Sequence, residues 1–126
     1  MLKLFKWFIE AQVLLTQDAR KQMTDNGRQR LSRGLDKGDF VPVVKLFTPD
    51  ANCVWLLTEL DPDDPDLAYG LCDLGMGFPE LGYVRMSEIE AVRGRLHLPV
   101  ERDRRFKPDK TVKKYAEEAR IRGRIE

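Results

Sequence analysis

The chain has 126 residues, of which 42% are hydrophobic and 34% charged, and its formal net charge is +1. This composition excludes an intrinsically disordered protein, and the length fits one domain over residues 1–126 rather than two. No apolar run reaches the roughly 18 residues of a membrane-spanning helix. We therefore expect a protein without a membrane span, located in the cytoplasm.

The chain begins with an apolar segment, and residues 1–13 are predicted to form a helical extension. Its polar residues Lys3, Lys6 and Glu10 fall within one narrow stripe of a helix, so most of the helix surface is apolar and needs cover. Three arrangements stay open. The helix packs against the domain, forms a homo-oligomer or partner interface through residues 2–15, or lies on a membrane surface.

A second helix is predicted to follow the apolar segment. Thr16 is a typical N-cap residue with Asp18 in the first turn, and the pair Asn26-Gly27 predicts the end of the helix. The polar, glycine-punctuated residues 28–39 predict a loop.

Residues 40–86 are predicted to form a β-rich core. Residues 40–47 predict its first strand, and Pro42 favours an edge position because proline has no N–H to donate to a sheet. Residues 81–86 are short and apolar enough to form its last strand.

A hairpin is predicted at the centre of this core. Two apolar runs, residues 53–60 and 67–74, flank residues 61–66, which hold two prolines and four aspartates. Prolines and aspartates of this density predict an exposed, irregular loop rather than strand.

The register of the hairpin follows from that loop. If residues 61–66 form the whole loop, Leu60 pairs with Leu67, and alternation places Glu59 and Asp73 on opposite faces of the sheet. Both faces are largely apolar, so the sheet should be covered on both sides.

The C-terminal third predicts two more helices. The residues from Ser87 to Glu90 have the form of a capping box, and Pro108 at a helix start predicts a helix over residues 108–122. A short strand is expected near residues 98–101. The predicted fold is therefore of the α+β class, with an antiparallel sheet of about four strands in a meander, flanked by N-terminal and C-terminal helices.

The acidic residues of the hairpin suggest a metal-dependent hydrolase or nuclease as one alternative function. Glu59, Asp73 and Glu80 adjoin strands and carry the oxygen ligands that Mg²⁺, Mn²⁺ or Ca²⁺ prefer. Lys45, or an arginine within residues 102–105, would steady a phosphate. Solvated acidic side chains or a protein-contact surface are the favoured interpretation.

No residue pattern predicts catalysis by a nucleophile. His97 is the only histidine and lacks a partner at a suitable spacing, and Cys53 and Cys72 lie in apolar strands, where buried free thiols are expected. We assign no catalytic residue, no cofactor and no metal ligand, and we favour a protein that is not an enzyme.

A basic C-terminal region suggests nucleic-acid binding as a second alternative. Its closely spaced cations are Arg102, Arg104, Arg105, Lys107, Lys110, Lys113 and Lys114. Acidic residues are mixed among them and aromatic side chains are scarce, so nucleic acid is a less favoured partner than protein.

Several blocks of the chain resemble the family catalogued as domain of unknown function 2958, small uncharacterised bacterial proteins. The resemblance covers residues 14–125. It rests on Leu14-Leu15-Thr16, Asn26-Gly27, the block PVVKLFTPDANCVWLLTELDPDDPDLAYGLCDLGMGFPELGYV, Glu101-Arg102-Asp103, Phe106, Pro108, Tyr115-Ala116 and Ala119-Arg120. It implies no catalytic role and no ligand. It implies a genetic context of plasmids and integrative elements, near transfer and anti-restriction genes.

The leading prediction is a non-catalytic protein-binding accessory of a bacterial mobile element, with a role in countering host defence. An acidic, proline-stiffened loop would complement a basic surface of the partner. The predicted contact residues are Asp61, Asp63, Asp64, Asp66, Phe78, Glu80 and Leu81. The apolar first helix is the alternative contact surface.

Overall fold

The computed structural model describes residues 13–126. Its helices are α1 (Gln17–Arg33), α2 (Met86–Ala91) and α3 (Val112–Arg122), with a 3-10 turn at Lys37–Asp39. Its strands are β1 (Val44–Phe47), β2 (Val54–Asp61), β3 (Asp64–Asp73), β4 (Glu80–Arg85) and β5 (Glu101–Arg102). The helix expected over residues 1–13 lies outside the described range except for Val13. None of the described helices is long and apolar enough to cross a membrane.

All five strands form one antiparallel sheet in the order β4-β3-β2-β1-β5. The α+β class is confirmed, and β1 to β4 follow each other as the predicted meander. A fifth strand extends the sheet, because Glu101 and Arg102 pair with Phe47 and Leu46 of β1. The edge position predicted for β1 is therefore wrong. Pro42 precedes the strand and so removes no hydrogen bond from its ladder.

The sheet is covered on both faces, as its apolar residues predict. We call the side that carries Met23 of α1 the α1 face and the opposite side the α3 face. The cluster on the α1 face includes Met23, Trp55, Leu57, Leu60, Ala68 and Ile89. The cluster on the α3 face includes Leu56, Leu71, Val112, Ala116, Ala119 and Ile125.

Helix α1 begins where the sequence predicts and ends about two turns later than predicted. Thr16 is the N-cap, and its hydroxyl accepts a hydrogen bond from the Ala19 N–H at 3.0 Å. The helix runs through Asn26-Gly27 to Arg33 and stops at Gly34, which has a φ of +63°. The predicted stop at Asn26-Gly27 is wrong because these two residues serve the packing of the helix.

Asn26 and Gly27 pack α1 against the part of the β2 edge that does not pair with β1. The Asn26 side chain donates to the Thr58 carbonyl at 2.8 Å, and a Cβ on Gly27 would collide with the Leu60 carbonyl oxygen. The first strand pairs with β2 only as far as Leu57, opposite Val44. Helix α1 therefore packs against the part of β2 that does not pair with β1.

A β-bulge at Thr58 divides the hairpin into two registers. Between Val54 and Leu57 the pairing with β3 is the predicted one, but beyond the bulge Glu59 pairs with Tyr69 and Leu60 pairs with Ala68. The predicted pairing of Leu60 with Leu67 is therefore wrong, because a bulge inserts one extra residue into a strand.

The bulge also changes which side chains share a face. Leu60 joins Leu57 on the α1 face instead of the opposite one. Glu59 lies opposite Tyr69, which alternation places on the same face as Leu71 and Asp73. The prediction that Glu59 and Asp73 face opposite sides is therefore wrong.

The two C-terminal helices begin differently from the predictions. Helix α2 starts at Met86 and has Arg85 at its N-cap without a side-chain bond, so Ser87 lies inside the helix and the predicted capping box is wrong. Helix α3 starts at Val112, four residues after Pro108, with the Thr111 hydroxyl accepting from the Lys114 N–H.

Candidate protein-contact surfaces

The predicted acidic loop is a two-residue turn. Asp61 ends β2 and Asp64 begins β3, so only Pro62 and Asp63 lie between the strands, and the six-residue loop predicted over residues 61–66 is wrong. The Asp61 Oδ1 accepts a hydrogen bond from the Asp63 N–H at 2.8 Å. A bond of this kind stabilises a tight turn locally, so the strands can extend further than the composition predicts.

Two of the predicted contact aspartates bind groups of β4 and α2. Arg85 donates to Asp64 Oδ2 at 3.0 Å and lies 3.6 Å from Asp66 Oδ2. The carboxylate of Asp66 accepts from the Ser87 N–H at 2.9 Å and from the Ser87 hydroxyl at 2.7 Å. Asp66 thus caps the N-terminus of α2 from a neighbouring strand, the role that the sequence assigned to Ser87.

These contacts lower the pKa of Asp66. The hydrogen bonds from the Ser87 hydroxyl and N–H, with the nearby Arg85 guanidinium, lower the pKa of the Asp66 carboxyl. Among the four turn aspartates, Asp63 is the exposed one. Its carboxylate is the part of the acidic turn that is most accessible to a partner.

The other predicted contact residues lie at the opposite end of β3. Phe78 belongs to the loop between β3 and β4, whereas Asp64 starts β3 at the acidic turn. A ten-residue strand is roughly 30 Å long, so the structure does not bring the acidic turn and Phe78 together. The predicted contact residues form two surfaces rather than one.

The loop between β3 and β4, residues 74–79, is unusually apolar for an exposed segment, and we call it the apolar loop. Leu74, Met76 and Phe78 are 54%, 71% and 81% exposed. Phe78 was predicted from the sequence, but Leu74 and Met76 were missed. Their signal was an apolar residue directly beside a glycine. Leu96, in a neighbouring loop, is 73% exposed. The residue before it, Arg95, lines a surface depression together with Leu74.

A groove runs from the apolar loop toward α3. Its volume is about 430 Å³, and its lining includes Phe78, Glu80, Leu81 and Arg120. Phe78 and Leu81 supply apolar surface, and Glu80 and Arg120 carry opposite charges on its rim. Arg120 has no carboxylate within 4.0 Å among residues 13–126. The groove can therefore receive an apolar or acidic side chain.

A second cleft, of about 570 Å³, opens on the α3 face beside the chain terminus, with Lys45, Asp73, Asp103 and Arg124 in its lining. Asp73 is 2% exposed, and its two carboxylate oxygens accept from the Gly75 N–H at 2.9 Å and the Ile125 N–H at 3.0 Å. Asp73 therefore connects the C-terminal tail to the sheet through a hydrogen bond.

The carboxylates suggested as metal ligands do not form one site. Glu59 accepts two bonds from Arg30, and Asp73 holds the C-terminal tail. Glu80 pairs with Cys72 and so lies on the opposite face from Asp73. Within the described part of the chain, no group of three His, Cys, Asp or Glu residues is arranged to hold a metal ion.

Two of the seven cations named for the basic region, Lys110 and Lys114, have acidic neighbours in the fold. Lys110 contacts Glu118 at 2.7 Å, and Lys114 lies 3.7 Å from Glu117. Arg102 donates to the Val13 carbonyl at 2.9 Å and so holds the start of the described chain. This region therefore carries less accessible positive charge than its sequence indicates.

The cysteines and the histidine occupy separate places. Cys53 and Cys72 are free thiols, each partly buried, and burial raises the pKa of Cys72 to about 11. His97 lies in an exposed loop with a φ of +60°. None of the three is positioned as a nucleophile or a base for another described residue.

Comparison with known proteins gives one result. The sequence model of the family described as "Protein of unknown function (DUF2958)" matches residues 14–126. Searches of curated proteins and of solved structures found no match. The matched residues include every helix and strand described above, and the chain belongs to the family DUF2958.

Proposed function

We propose that this protein is a cytoplasmic, non-catalytic protein-binding accessory of a bacterial mobile element that acts against host defence. Its contact surface is the apolar loop together with the adjoining groove. The observation that carries this proposal is the exposure of Leu74, Met76 and Phe78 at alternate positions of one loop. The genetic context is supported by the family resemblance.

The chemistry of the loop fits a protein interface. Exposed apolar patches of this kind mark interaction sites, and Phe and Met are enriched in interface cores. Full burial of one large apolar side chain contributes roughly 1.5–3 kcal/mol, so three such side chains can anchor a partner. Gly75 and Gly77 have positive φ and set the path of the loop at Met76, which lies between them.

Affinity capture from a host lysate tests the proposal. Tagged wild-type protein is compared with a variant in which Leu74, Met76 and Phe78 are all changed to Ser. The matched control changes two other exposed apolar residues, Leu31 (58% exposed) and Val41 (45% exposed), to Ser. We expect a stoichiometric protein to be retained by the wild type and the control and lost by the loop variant.

The acidic turn is tested in the same experiment by Asp63→Asn. This change removes the accessible charge and leaves the bonds of Asp64 and Asp66 to Arg85 and Ser87 in place. Loss of the captured protein with Asp63→Asn, but not with the loop variant, would move the contact surface to the acidic turn. Retention of no specific protein by the wild type would contradict the proposed function.

A further inference from the structure

The sheet has an open edge at β4. This strand is the outermost on its side, has six residues and borders the apolar loop. The opposite edge is the two-residue β5. Unpaired backbone groups on an edge of this length offer a template for another strand.

The direction of each backbone group along the sheet follows from one hydrogen bond. The Val43 N–H donates to the Leu57 carbonyl at 2.8 Å, so the backbone groups of Leu57 point toward β1. The direction of the backbone N–H and C=O groups alternates along a strand, so those of the neighbouring Leu56 point toward β3, where Leu56 pairs with Leu71. The backbone groups of Leu71 therefore point toward β2.

Alternation along β3 then fixes the orientation of β4. Since the backbone groups of Leu71 point toward β2, those of the preceding residue, Gly70, point toward β4 and bond its partner Gly82. The backbone groups of Leu81 and Tyr83, on either side of Gly82, therefore point away from the sheet. Outside the strand ladders, no backbone hydrogen bond within residues 13–126 involves Leu81 or Tyr83.

Little of the described chain covers this edge. Tyr83 is 50% exposed, and a Cβ on Gly82 would meet no atom within 4 Å. Edge strands are commonly protected by prolines, bulges or inward-pointing charges. Here Pro79 lies before the strand and the charges of Glu80 and Arg85 lie at its two ends, so the central residues remain accessible.

The charges beside the edge differ between the two faces. On the α3 face, the Lys37 ammonium lies 4.3 Å from the centre of the Tyr83 ring, and Arg120 lines the groove next to Leu81. Neither cation has a carboxylate within 4.0 Å in the described part of the chain. On the α1 face, the exposed charge of the strand is Glu80. An added strand that carries carboxylates on the α3 face is therefore complementary in charge to this edge.

We infer that the open edge of β4 is a strand-addition site, which receives an extended acidic-apolar peptide segment of the partner in antiparallel pairing. The inference rests on the proposed function and specifies how the partner binds. Main-chain bonds to Leu81 and Tyr83 provide affinity, and acidic side chains toward Lys37 and Arg120 provide selectivity. A second copy of this chain is the competing occupant, which the experiment distinguishes.

The test uses a defined probe, the capped peptide Thr-Val-Glu-Val-Glu-Val-Thr, with a lysine counterpart in which both Glu are replaced. NMR titration of the full chain is expected to move the amide signals of Leu81 and Tyr83 and to slow their hydrogen exchange. The glutamate peptide should bind about three- to fivefold more tightly than the lysine peptide, the effect of one or two exposed charge contacts.

Two N-methylated peptides provide the matched control. In antiparallel pairing, the peptide residue that bonds the Tyr83 backbone has its side chain on the same face of the sheet as Tyr83. The Glu side chains therefore lie on the α3 face when the Glu N–H groups point toward β4 and the Val N–H groups point away. Methylation of both Glu nitrogens should weaken binding at least about tenfold, whereas methylation of the Val nitrogens should not. Equal binding of the two methylated peptides would overturn the inference. Protection of the Leu81 and Tyr83 amides before any peptide is added would also overturn it, because the edge would then already be occupied.

Lysate capture with Tyr83→Pro separates this inference from the proposed function. Proline removes an N–H that the native sheet does not use, and edge strands tolerate it there. Loss of the captured protein supports the edge site. Its retention, together with loss by the apolar loop variant, overturns the edge site and leaves the proposed function intact.

Discussion

Arg30 of α1 donates from Nε to both carboxylate oxygens of Glu59, at 2.7 and 2.9 Å, beside the bulge in β2. The side chain of Glu59 is 4% exposed and that of Arg30 is 16% exposed. A carboxylate removed from water is stable only when it is paired and hydrogen-bonded. Helix α1 supplies that counter-charge from the edge of β2 that it covers.

The Arg30–Glu59 pair should therefore contribute strongly to stability. Arg30→Met removes the cation and leaves Glu59 buried without a partner charge, so we expect a loss of about 3 kcal/mol in the free energy of unfolding. Urea denaturation at pH 7 measures it. The control is Arg28→Met, since Arg28 is 66% exposed and lies 3.7 Å from Asp25, and its loss should stay below about 0.5 kcal/mol. Similar losses for both variants would contradict the role assigned to the pair.

The bonds between Asp66 and Ser87 should make stability depend on pH. The pKa of Asp66 is lower in the folded chain than its ordinary value, so these contacts stabilise the fold above the ordinary aspartate pKa of about 3.9. The stabilisation is lost as the pH falls through the lower, folded-state pKa. Asp66→Asn should therefore be less stable than the wild type at pH 7, and the difference should shrink toward pH 3.

Urea unfolding of both proteins at several pH values measures this dependence. Asp63→Asn is the matched control, since it removes a carboxylate from the same turn without touching Ser87. A difference between the wild type and Asp66→Asn that stays constant from pH 7 to pH 3 would contradict the cap.

Local signals predicted most of the elements because hydrophobic period and turn residues are local properties. Strands β2, β3 and β4, the Thr16 cap and the C-terminal helix follow from them. The bulge at Thr58 could not be predicted, because one extra residue in a strand leaves its composition unchanged. The Asn26-Gly27 pair gave a wrong prediction, because the sequence does not distinguish a glycine that permits close packing from one that ends a helix.

The candidate site was partly predictable. Phe78 and the acidic turn stood out in composition, but their separation depends on the direction of β3, which places them at opposite ends. The predicted meander already places β4 at an edge of the sheet, but the outward direction of the Leu81 and Tyr83 backbone groups depends on the register of β3 with β4, which the sequence does not give. Asp66 looked like a solvated acid, and its bonds to Ser87 arise from the pairing of β3 with β4.

The thiol of Cys72 should be unreactive in the folded protein. Burial raises its pKa to about 11, so about 0.1% is thiolate at pH 8, against roughly a quarter for a thiol of pKa 8.5. Alkylation by iodoacetamide at pH 8 should be about a hundredfold slower than in denaturant, as followed by peptide mass spectrometry. Cys53→Ser leaves Cys72 as the one thiol to follow. Equal rates in the folded and unfolded protein would show that the thiol is accessible and not buried.

Gly27→Ala tests the close contact of α1 with β2, because the contact decides whether the change raises or lowers the free energy of unfolding. In an exposed helix interior this change stabilises by about 1 kcal/mol, because alanine has the higher helix propensity. Here the new methyl group would collide with the Leu60 carbonyl oxygen, so we expect a loss of about 2 kcal/mol in urea unfolding. Ser32→Ala, at an exposed position of the same helix, is the control and should change stability by less than about 0.5 kcal/mol. A Gly27→Ala variant more stable than the wild type would mean that α1 does not approach β2 this closely.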